Sequence, residues 1–266
     1  MTRISSISFA LLLFLFTFTG CQSESDTAST EANETAESAE TDDMTDVEWG
    51  YSGEGAPANW ASLSADYEAC AGSSQSPIDI VADDEAQSVD VDMSYTESGG
   101  ILTGSGKLFK MELDGGTLTL GDKEYDLIQF HFHTPSEHTV EGKSYPAEVH
   151  LVHAADDGTL AVIGVFYEVG EANEALAKFW DELPNVGSAN PVDFNAAELL
   201  PEDRTTYTYD GSLTTPPCSE VVSWHVMTTP VSISQEQLDA LSEMHGVQNN
   251  RPVQPLNDRE IDTVTL

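Results

Sequence analysis

The chain has 266 residues, 39% of them hydrophobic, which permits one large domain or two of ordinary size. It carries 47 acidic against 9 basic residues, a formal net charge of −38. Such a charge repels nucleic acids and anionic lipid surfaces, so the composition argues against nucleic-acid binding. Solubility through self-repulsion and adaptation to high salt would each explain the charge, and the sequence favours neither.

Residues 1–21 have the features of an export signal. Arg3 provides a short positive start, and Phe9–Phe18 is almost wholly apolar but too short to span a membrane comfortably. Small residues then precede Cys21, a pattern that resembles a lipobox, in which the cysteine is lipidated, although Phe18 stands where leucine is usual. We therefore predict a signal peptide over 1–21 and a lipid anchor at Cys21 that holds the protein at a membrane. Simple signal cleavage nearby is the alternative.

Residues 22–48 read as a disordered acidic tether. This stretch has ten acidic residues and no Lys or Arg, and Met44 and Val47 are its only larger apolar side chains. It cannot bury enough surface to offset the entropy lost on ordering. The rest, 49–266, contains no second linker and no repeat and is predicted to be one domain. If Cys21 is lipidated, Cys70 and Cys218 remain, either as a disulfide in an oxidising compartment or as two separate buried thiols.

The predicted domain is mainly β with peripheral helices. Its strand-like stretches are rich in β-branched and aromatic residues and are bounded by Gly, Pro or Asp. They are Thr117–Leu120, Tyr125–His133, Glu148–His153, Ala161–Val169 and Val221–Met227. Two helices are predicted, one over Asn173–Leu183 and one over Ser234–His245, where Ser234 and Gln237 match a capping box.

Two of these strands carry histidines in a regular pattern. Side chains alternate between the faces of a strand, so Gln129, His131 and His133 share one face of the first strand, and Glu148 and His150 share one face of the second. If the strands pair with these faces aligned, three imidazoles converge. Three neutral histidines with an open fourth position are typical of catalytic zinc. The glutamine and glutamate can each accept the outer N–H of a histidine.

Four further histidines are interpreted as structural. His138 and His153 lie near the cluster in a different phase and are expected to be hydrogen-bonded. His225 and His245 are expected to be surface or packing residues.

Several motifs together resemble the alpha-class carbonic anhydrases, especially exported bacterial members, over Trp49–Arg259. They are Trp49-Gly50-Tyr51, Gln75-Ser76-Pro77-Ile78-Asp79, Gln129–His133, Ser136–Val140, Ala147–His153, Gly211–Pro217 and Arg251–Asn257. The resemblance implies a twisted, mostly antiparallel central sheet of about ten strands, with zinc in a conical cleft. It implies that His131, His133 and His150 bind Zn²⁺, and that Gln129, Glu148 and the backbone at Asn249 orient them.

The resemblance also implies a function, the reversible hydration of carbon dioxide to bicarbonate and a proton by zinc-bound hydroxide. In this interpretation Thr214 accepts a hydrogen bond from the hydroxide and donates one to Glu137, while Thr215 lies beside the bicarbonate site. An apolar pocket for carbon dioxide is formed by Val152, Val162, Leu213, Val222 and Trp224. The resemblance further pairs Cys70 with Cys218. Without it, an ordinary loop hydroxyl at Thr214 and a solvated carboxylate at Glu137 would be the simpler interpretations.

The segment Ser105-Gly106-Lys107 departs from the family pattern. Fast members commonly place a proton-carrying histidine where Lys107 stands. An ordinary lysine stays protonated at neutral pH and accepts a proton poorly. We therefore predict that proton release depends on solution buffer. A non-catalytic binding module on the same fold is the alternative function, although such proteins typically lose a zinc histidine and all three are present here.

Overall fold

The computed structural model describes residues 47–82, 87–88, 91–105, 107–180 and 192–266. The predicted signal peptide, Cys21 and residues 22–46 of the predicted tether lie outside the described residues. Glu48, at the end of that predicted tether, is described, and its carboxylate lies 3.0 Å from the ammonium of Lys107. Among the described residues, no helix is both long and apolar enough to cross a membrane.

The helices are short. They are α1 (Trp60–Leu63), α2 (Glu174–Trp180) and α3 (Gln235–His245), with 3-10 helices at Gly53–Gly55, Pro57–Asn59, Ala65–Ala71 and Ala196–Leu199. The capping box before α3 is confirmed, because Ser234 accepts from the amide of Gln237 and the Gln237 side chain accepts in return. The helix ends at Gly246, which adopts a left-handed φ of 66°.

Sixteen strands occur in the described residues. They are β1 (Asp79–Ile80), β2 (Gln87–Ser88), β3 (Val91–Tyr95), β4 (Ser98–Ser105), β5 (Leu108–Glu112), β6 (Gly116–Leu120), β7 (Lys123–His133), β8 (Thr139–Val140), β9 (Lys143–Ser144), β10 (Ala147–Ala154), β11 (Leu160–Val169), β12 (Val192–Phe194), β13 (Thr205–Gly211), β14 (Val222–Met227), β15 (Val231–Ile233) and β16 (Asp262–Thr265). All five predicted strands are among them, with ends that shift by one or two residues.

One large sheet dominates the fold. Ten strands follow one another in the order β12-β4-β5-β7-β10-β11-β14-β13-β16-β2, and β3, β6 and β15 bring the described total to thirteen. The pairings are antiparallel except β11 with β14, β11 with β15, and β16 with β2. Strands β1, β8 and β9 form a separate small sheet. The predicted fold class, a mostly antiparallel central sheet with few helices, is confirmed.

Alternation along the strands divides the core between the two faces of the large sheet. Phe130 and Phe132 join the larger apolar cluster, as the strand phase of β7 predicts. Val152, Val162 and Trp224 belong to a second cluster on the histidine face. The histidines therefore lie on the opposite face of the sheet from the first cluster and beside the second.

A disulfide joins Cys70 to Cys218 and packs against Trp60 in a third apolar cluster. This settles the choice between a disulfide and two thiols. Disulfides persist in oxidising compartments, so the bond indicates an exported protein.

Candidate metal centre

The pairing of β7 with β10 brings the three predicted histidines together. In the antiparallel register His150 lies opposite His131, and Glu148 lies opposite His133. Directly opposed side chains share a face of the sheet, so all three imidazoles point to the same side. Their ring centroids are 4.7–5.2 Å apart. One nitrogen from each ring falls within a group whose atoms lie within 4.8 Å of one another.

In each of the three rings, one nitrogen lies within hydrogen-bond distance of an oxygen. Gln129 Oε1 lies 2.8 Å from His131 Nδ1, and the main-chain oxygen of Asn249 lies 2.7 Å from His133 Nδ1. Glu148 Oε1 lies 2.9 Å from His150 Nε2. These bonds fix one nitrogen of each ring as the proton donor, so the other nitrogen keeps its lone pair and faces the cluster.

The histidine group fits a zinc ion. Burial is the main cause that lowers the pKa of His131 and His133 well below the usual value, and neighbouring imidazoles add to it. Burial also lowers the pKa of His150, against the opposing effect of Glu148. Neutral imidazoles are the form that zinc binds. Moreover, His133 Nε2 is buried without a hydrogen-bond partner among the described residues, which a metal ligand bond would satisfy.

Glu148 connects the histidines to the rest of the site. Its Oε2 accepts the amides of Glu137 and His138, each at 2.9 Å, while its Oε1 also contacts His138 Nδ1 at 2.7 Å. Burial alone would raise the pKa of Glu148, but His138 and His150 hold it well below its usual range. The close group of His138, Glu148 and His150 is thus fully explained by hydrogen bonds. His138 has the structural role expected from the sequence.

Glu137 and Thr214 are both buried, and Glu137 lies beside His133. Glu137 Oε1 accepts the amide of Arg251 at 2.8 Å, and Oε2 lies 3.3 Å from His133 Nε2 without hydrogen-bond geometry. Burial raises the pKa of Glu137, and the Arg251 amide and the Thr214 hydroxyl oppose that rise. Thr214 and Thr215 stand in the loop between β13 and β14, where the Thr215 main-chain oxygen accepts the amide of Cys218 at 2.9 Å.

The five residues predicted to form the apolar pocket belong to one cluster. Val152 lies opposite Val162, and Val162 lies opposite Trp224, so the three form a row across β10, β11 and β14. The Trp224 ring lies 4.8 Å from the ring of His150. Val222 and Leu213 complete the set. An apolar surface therefore adjoins the metal ligands.

Lys107 lies just before β5 and contacts the start of the domain. Its Nζ donates to the Trp49 main-chain oxygen at 2.6 Å and to Glu48 at 3.0 Å, and it stands 5.3 Å from the centroid of the Trp49 ring. The ammonium is thus committed to these contacts.

Sequence reasoning assigned no role to Arg251. Besides its amide, Arg251 uses its buried guanidinium to bind Gln75 Oε1 and the main-chain oxygens of Ser76 and Cys70. No local pattern signals this, because the partners are about 180 residues away. His225 and His245, expected to be surface or packing residues, are both buried, so packing is the alternative that holds.

These features define a mainly β protein with a candidate metal centre, in which three converging histidines would hold one ion as they do in catalytic zinc sites. A family profile described as eukaryotic-type carbonic anhydrase matches residues 55–265. The chain is 42% identical to a carbonic anhydrase of Nostoc sp., over 80% of this chain and 84% of that protein. It is 40% identical to one of Pectobacterium carotovorum, over 81% and 90%.

Solved structures agree. The alpha-carbonic anhydrase from Thermovibrio ammonificans, solved in complex with the inhibitor sulfanilamide, superposes with a TM-score of 0.75 and 42% identity, covering 81% of this chain and 98% of that one. The Photobacterium profundum alpha-carbonic anhydrase gives 0.75 and 41%, covering 80% and 99%. The chain belongs to the alpha carbonic anhydrase family.

Proposed function

We propose that this protein catalyses the reversible hydration of carbon dioxide to bicarbonate and a proton, with Zn²⁺ bound by His131, His133 and His150. The observation that carries the proposal is the convergence of three neutral, buried imidazoles, each held from behind by an oxygen. Zinc in such a site is a Lewis acid that makes water acidic enough to act as a nucleophile near neutral pH, for which carbonic anhydrases are themselves the standard example.

The chain's own residues then orient the reactants. We assign the Thr214 hydroxyl as donor to the carboxylate of Glu137, which leaves the Thr214 oxygen able only to accept a hydrogen bond from the nucleophile. This orientation directs the lone pair of the nucleophile at the substrate. Support comes from Glu137 Oε2, which is buried without a hydrogen-bond partner among the described residues, and from the Thr214 hydroxyl, which lowers the pKa of Glu137 against the larger effect of burial. Thr215, next along the same loop, is assigned to the bicarbonate side of the site.

Carbon dioxide is apolar and offers little to hydrogen-bond, so an apolar wall beside the nucleophile is the surface that suits it. The row of Val152, Val162 and Trp224, with Val222 and Leu213, provides such a wall next to His150. Holding the substrate there replaces a bimolecular encounter by a positioned one.

The test is stopped-flow hydration of carbon dioxide by the zinc-loaded protein, with and without a chelator. We expect rapid hydration that the chelator abolishes and added zinc restores. Thr214→Ala should lower kcat/KM by about a hundredfold or more, the usual contribution of a positioned proton-transfer group. Thr229→Ala, which removes an exposed hydroxyl bound to Asp203, is the matched control. Zinc binding without hydration would instead favour the binding module.

We further propose that the protein is exported by residues 1–21 and anchored to a membrane by lipid at Cys21, with 22–48 as tether. The disulfide supports export. Labelled palmitate should be incorporated into the native chain, and Cys21→Ser should release the protein from the membrane fraction. Membrane release of the native chain in high salt alone would contradict a lipid anchor.

A further inference from the structure

A lysine stands beside the metal-binding histidines. Lys110 on β5 lies directly opposite His131 on β7 in the antiparallel register. The next residue, Met111, is fully buried on the other face of the sheet. Opposed residues share a face, so Lys110 projects from the same side of the sheet as His131.

The ammonium of Lys110 is paired but reachable from solvent. Its Nζ lies 2.7 Å from Glu112 Oε1, and the two side chains are 38% and 49% exposed. Glu112 lies opposite Gln129, the residue whose side chain contacts His131. The ion pair therefore runs along the strand next to the one that carries two of the three histidines.

Lys110 places a positive charge beside His131 in a strongly acidic chain. The chain as a whole carries a net charge of −38. Bicarbonate is an anion, and such a chain repels anions at long range. A cation at the edge of the histidine cluster opposes that repulsion where the anion must bind or leave.

We propose that Lys110 determines the affinity of the site for anions, bicarbonate among them, and that Glu112 weakens this affinity by pairing with the same ammonium. The inference rests on the proposed function, because it concerns an anion that binds at the same metal centre.

The experiment is a thiocyanate titration of the Co²⁺-loaded protein, followed by the visible absorption of the metal. We expect Lys110→Gln to raise the thiocyanate Kd about two- to fivefold, the range that an exposed ion pair contributes. The matched control is Lys123→Gln, because Lys123 is also 38% exposed and pairs with Asp157 at 2.8 Å. Lys123 begins β7, eight residues from His131 and thus roughly 25 Å away along the strand. Both variants remove one positive charge, so their difference reports position alone.

A second variant tests the opposite sign. Glu112→Gln frees the ammonium of Lys110 and should lower the thiocyanate Kd, whereas Asp157→Asn should not. Lys110→Arg should keep the Kd of the parent, because it keeps the charge. The difference between Lys110→Gln and the parent should shrink as ionic strength rises.

Equal Kd values for Lys110→Gln and Lys123→Gln, or no tightening in Glu112→Gln, would overturn the proposal. The titration needs a bound metal but no turnover. A protein that bound Co²⁺ and thiocyanate without hydrating carbon dioxide would therefore refute the proposed function while still reporting on Lys110. In turnover, bicarbonate should inhibit hydration more weakly in Lys110→Gln. The equilibrium constant of the reaction fixes the ratio of kcat/KM for hydration to kcat/KM for dehydration, and a substitution cannot change that ratio. Inhibition of hydration by bicarbonate is therefore the informative kinetic measurement.

Discussion

The main-chain oxygen of Asn249 lies 2.7 Å from Nδ1 of His133, although 116 residues separate the two in the sequence. The Asn249 side chain fixes this approach, because its Oδ1 accepts the amide of Thr134 at 2.8 Å and its Nδ2 donates to the main-chain oxygen of Phe132 at 2.9 Å. One buried asparagine thus ties the end of β7 to the loop after α3. The orientation of a metal ligand depends on that connection.

Asn249→Ala should therefore weaken zinc binding without touching a ligand. It leaves the buried amide of Thr134 without its acceptor, which should lower the free energy of unfolding by about 1–3 kcal/mol. Zinc affinity, measured by competition with a chelator, should fall by about tenfold or more, as for other groups that orient ligands. Asn250→Ala is the control, since its amide makes only a 3.5 Å contact with the Ser136 main-chain oxygen. Unchanged affinity in Asn249→Ala would show that His133 is oriented without it.

Glu148→Gln should have a larger effect on zinc than Asn249→Ala. The variant removes a charge that stabilises His150 as a donor. It also removes two of the four hydrogen-bond acceptances, because each carboxylate oxygen accepts two and an amide nitrogen accepts none. We expect zinc affinity to fall by about 10–100-fold. Glu124→Gln, an exposed change on the same sheet, is the control. Equal affinities for the two variants in chelator competition would contradict the role given to Glu148.

The contrast between Glu148 and Asn249 shows what a sequence can predict. Gln129 and Glu148 each lie two residues from a histidine they contact, so strand alternation alone places them on the correct face. Asn249 and Arg251 approach from the far end of the chain, and no local period signals them. Asn249 was found by resemblance to a family, and Arg251 was missed although its motif was recognised.

Local sequence was also a limited guide to the burial of the other histidines and to the edge strands of the sheet. Strand phase placed His153 away from the metal ligands, and it is indeed hydrogen-bonded, to Tyr95 and the Ala161 main-chain oxygen. The burial of His225 and His245 depends on packing between distant elements, which their neighbours in sequence do not report. Short edge strands such as β2 and β12, with two and three residues, carry too little pattern to be recognised.

The stability of the metal-free protein should fall as the pH drops below about 6.5. Burial lowers the pKa of His153 and of His225 from 6.5 to about 4. Between these values the unfolded chain binds protons that the folded chain excludes, so protonation favours unfolding. The stabilisation that His153 and His225 contribute is fully present above pH 6.5 and lost by about pH 4. Its upper limit is about 3 kcal/mol for each histidine. The ligand histidines shift in the same direction and add to the slope.

Urea unfolding at pH 7.5, 6.5, 5.5 and 4.5 measures this slope. His225→Gln should reduce the slope by the contribution of one histidine, because it removes one buried titratable group. It breaks no hydrogen bond at Nδ1, which has no partner among the described residues. A free energy of unfolding that stays constant from pH 7 to pH 5 would show that the buried histidines do not control stability.

Reduction of the disulfide should destabilise the domain more than it impairs the metal site. The bond between Cys70 and Cys218 closes a loop of 148 residues. The chain-entropy model gives about 4–5 kcal/mol for a loop of this length. The double variant Cys70→Ser with Cys218→Ser should unfold at a lower urea concentration and should no longer respond to reductant. Equal midpoints for the oxidised and reduced native protein would contradict a stabilising role.

Lys107 should not carry the proton that hydration releases. Its ammonium is held by the Trp49 main-chain oxygen and Glu48, and an ammonium donates protons in hydrogen bonds without accepting them. Turnover of the zinc-loaded protein should therefore rise with the concentration of imidazole buffer. Lys107→His should raise turnover in dilute buffer by about tenfold or more, since a positioned histidine commonly contributes at least this much to proton transfer. Lys178→His, at an exposed ion pair with Glu198, is the control. If neither imidazole nor Lys107→His changed turnover, proton release would not limit the reaction.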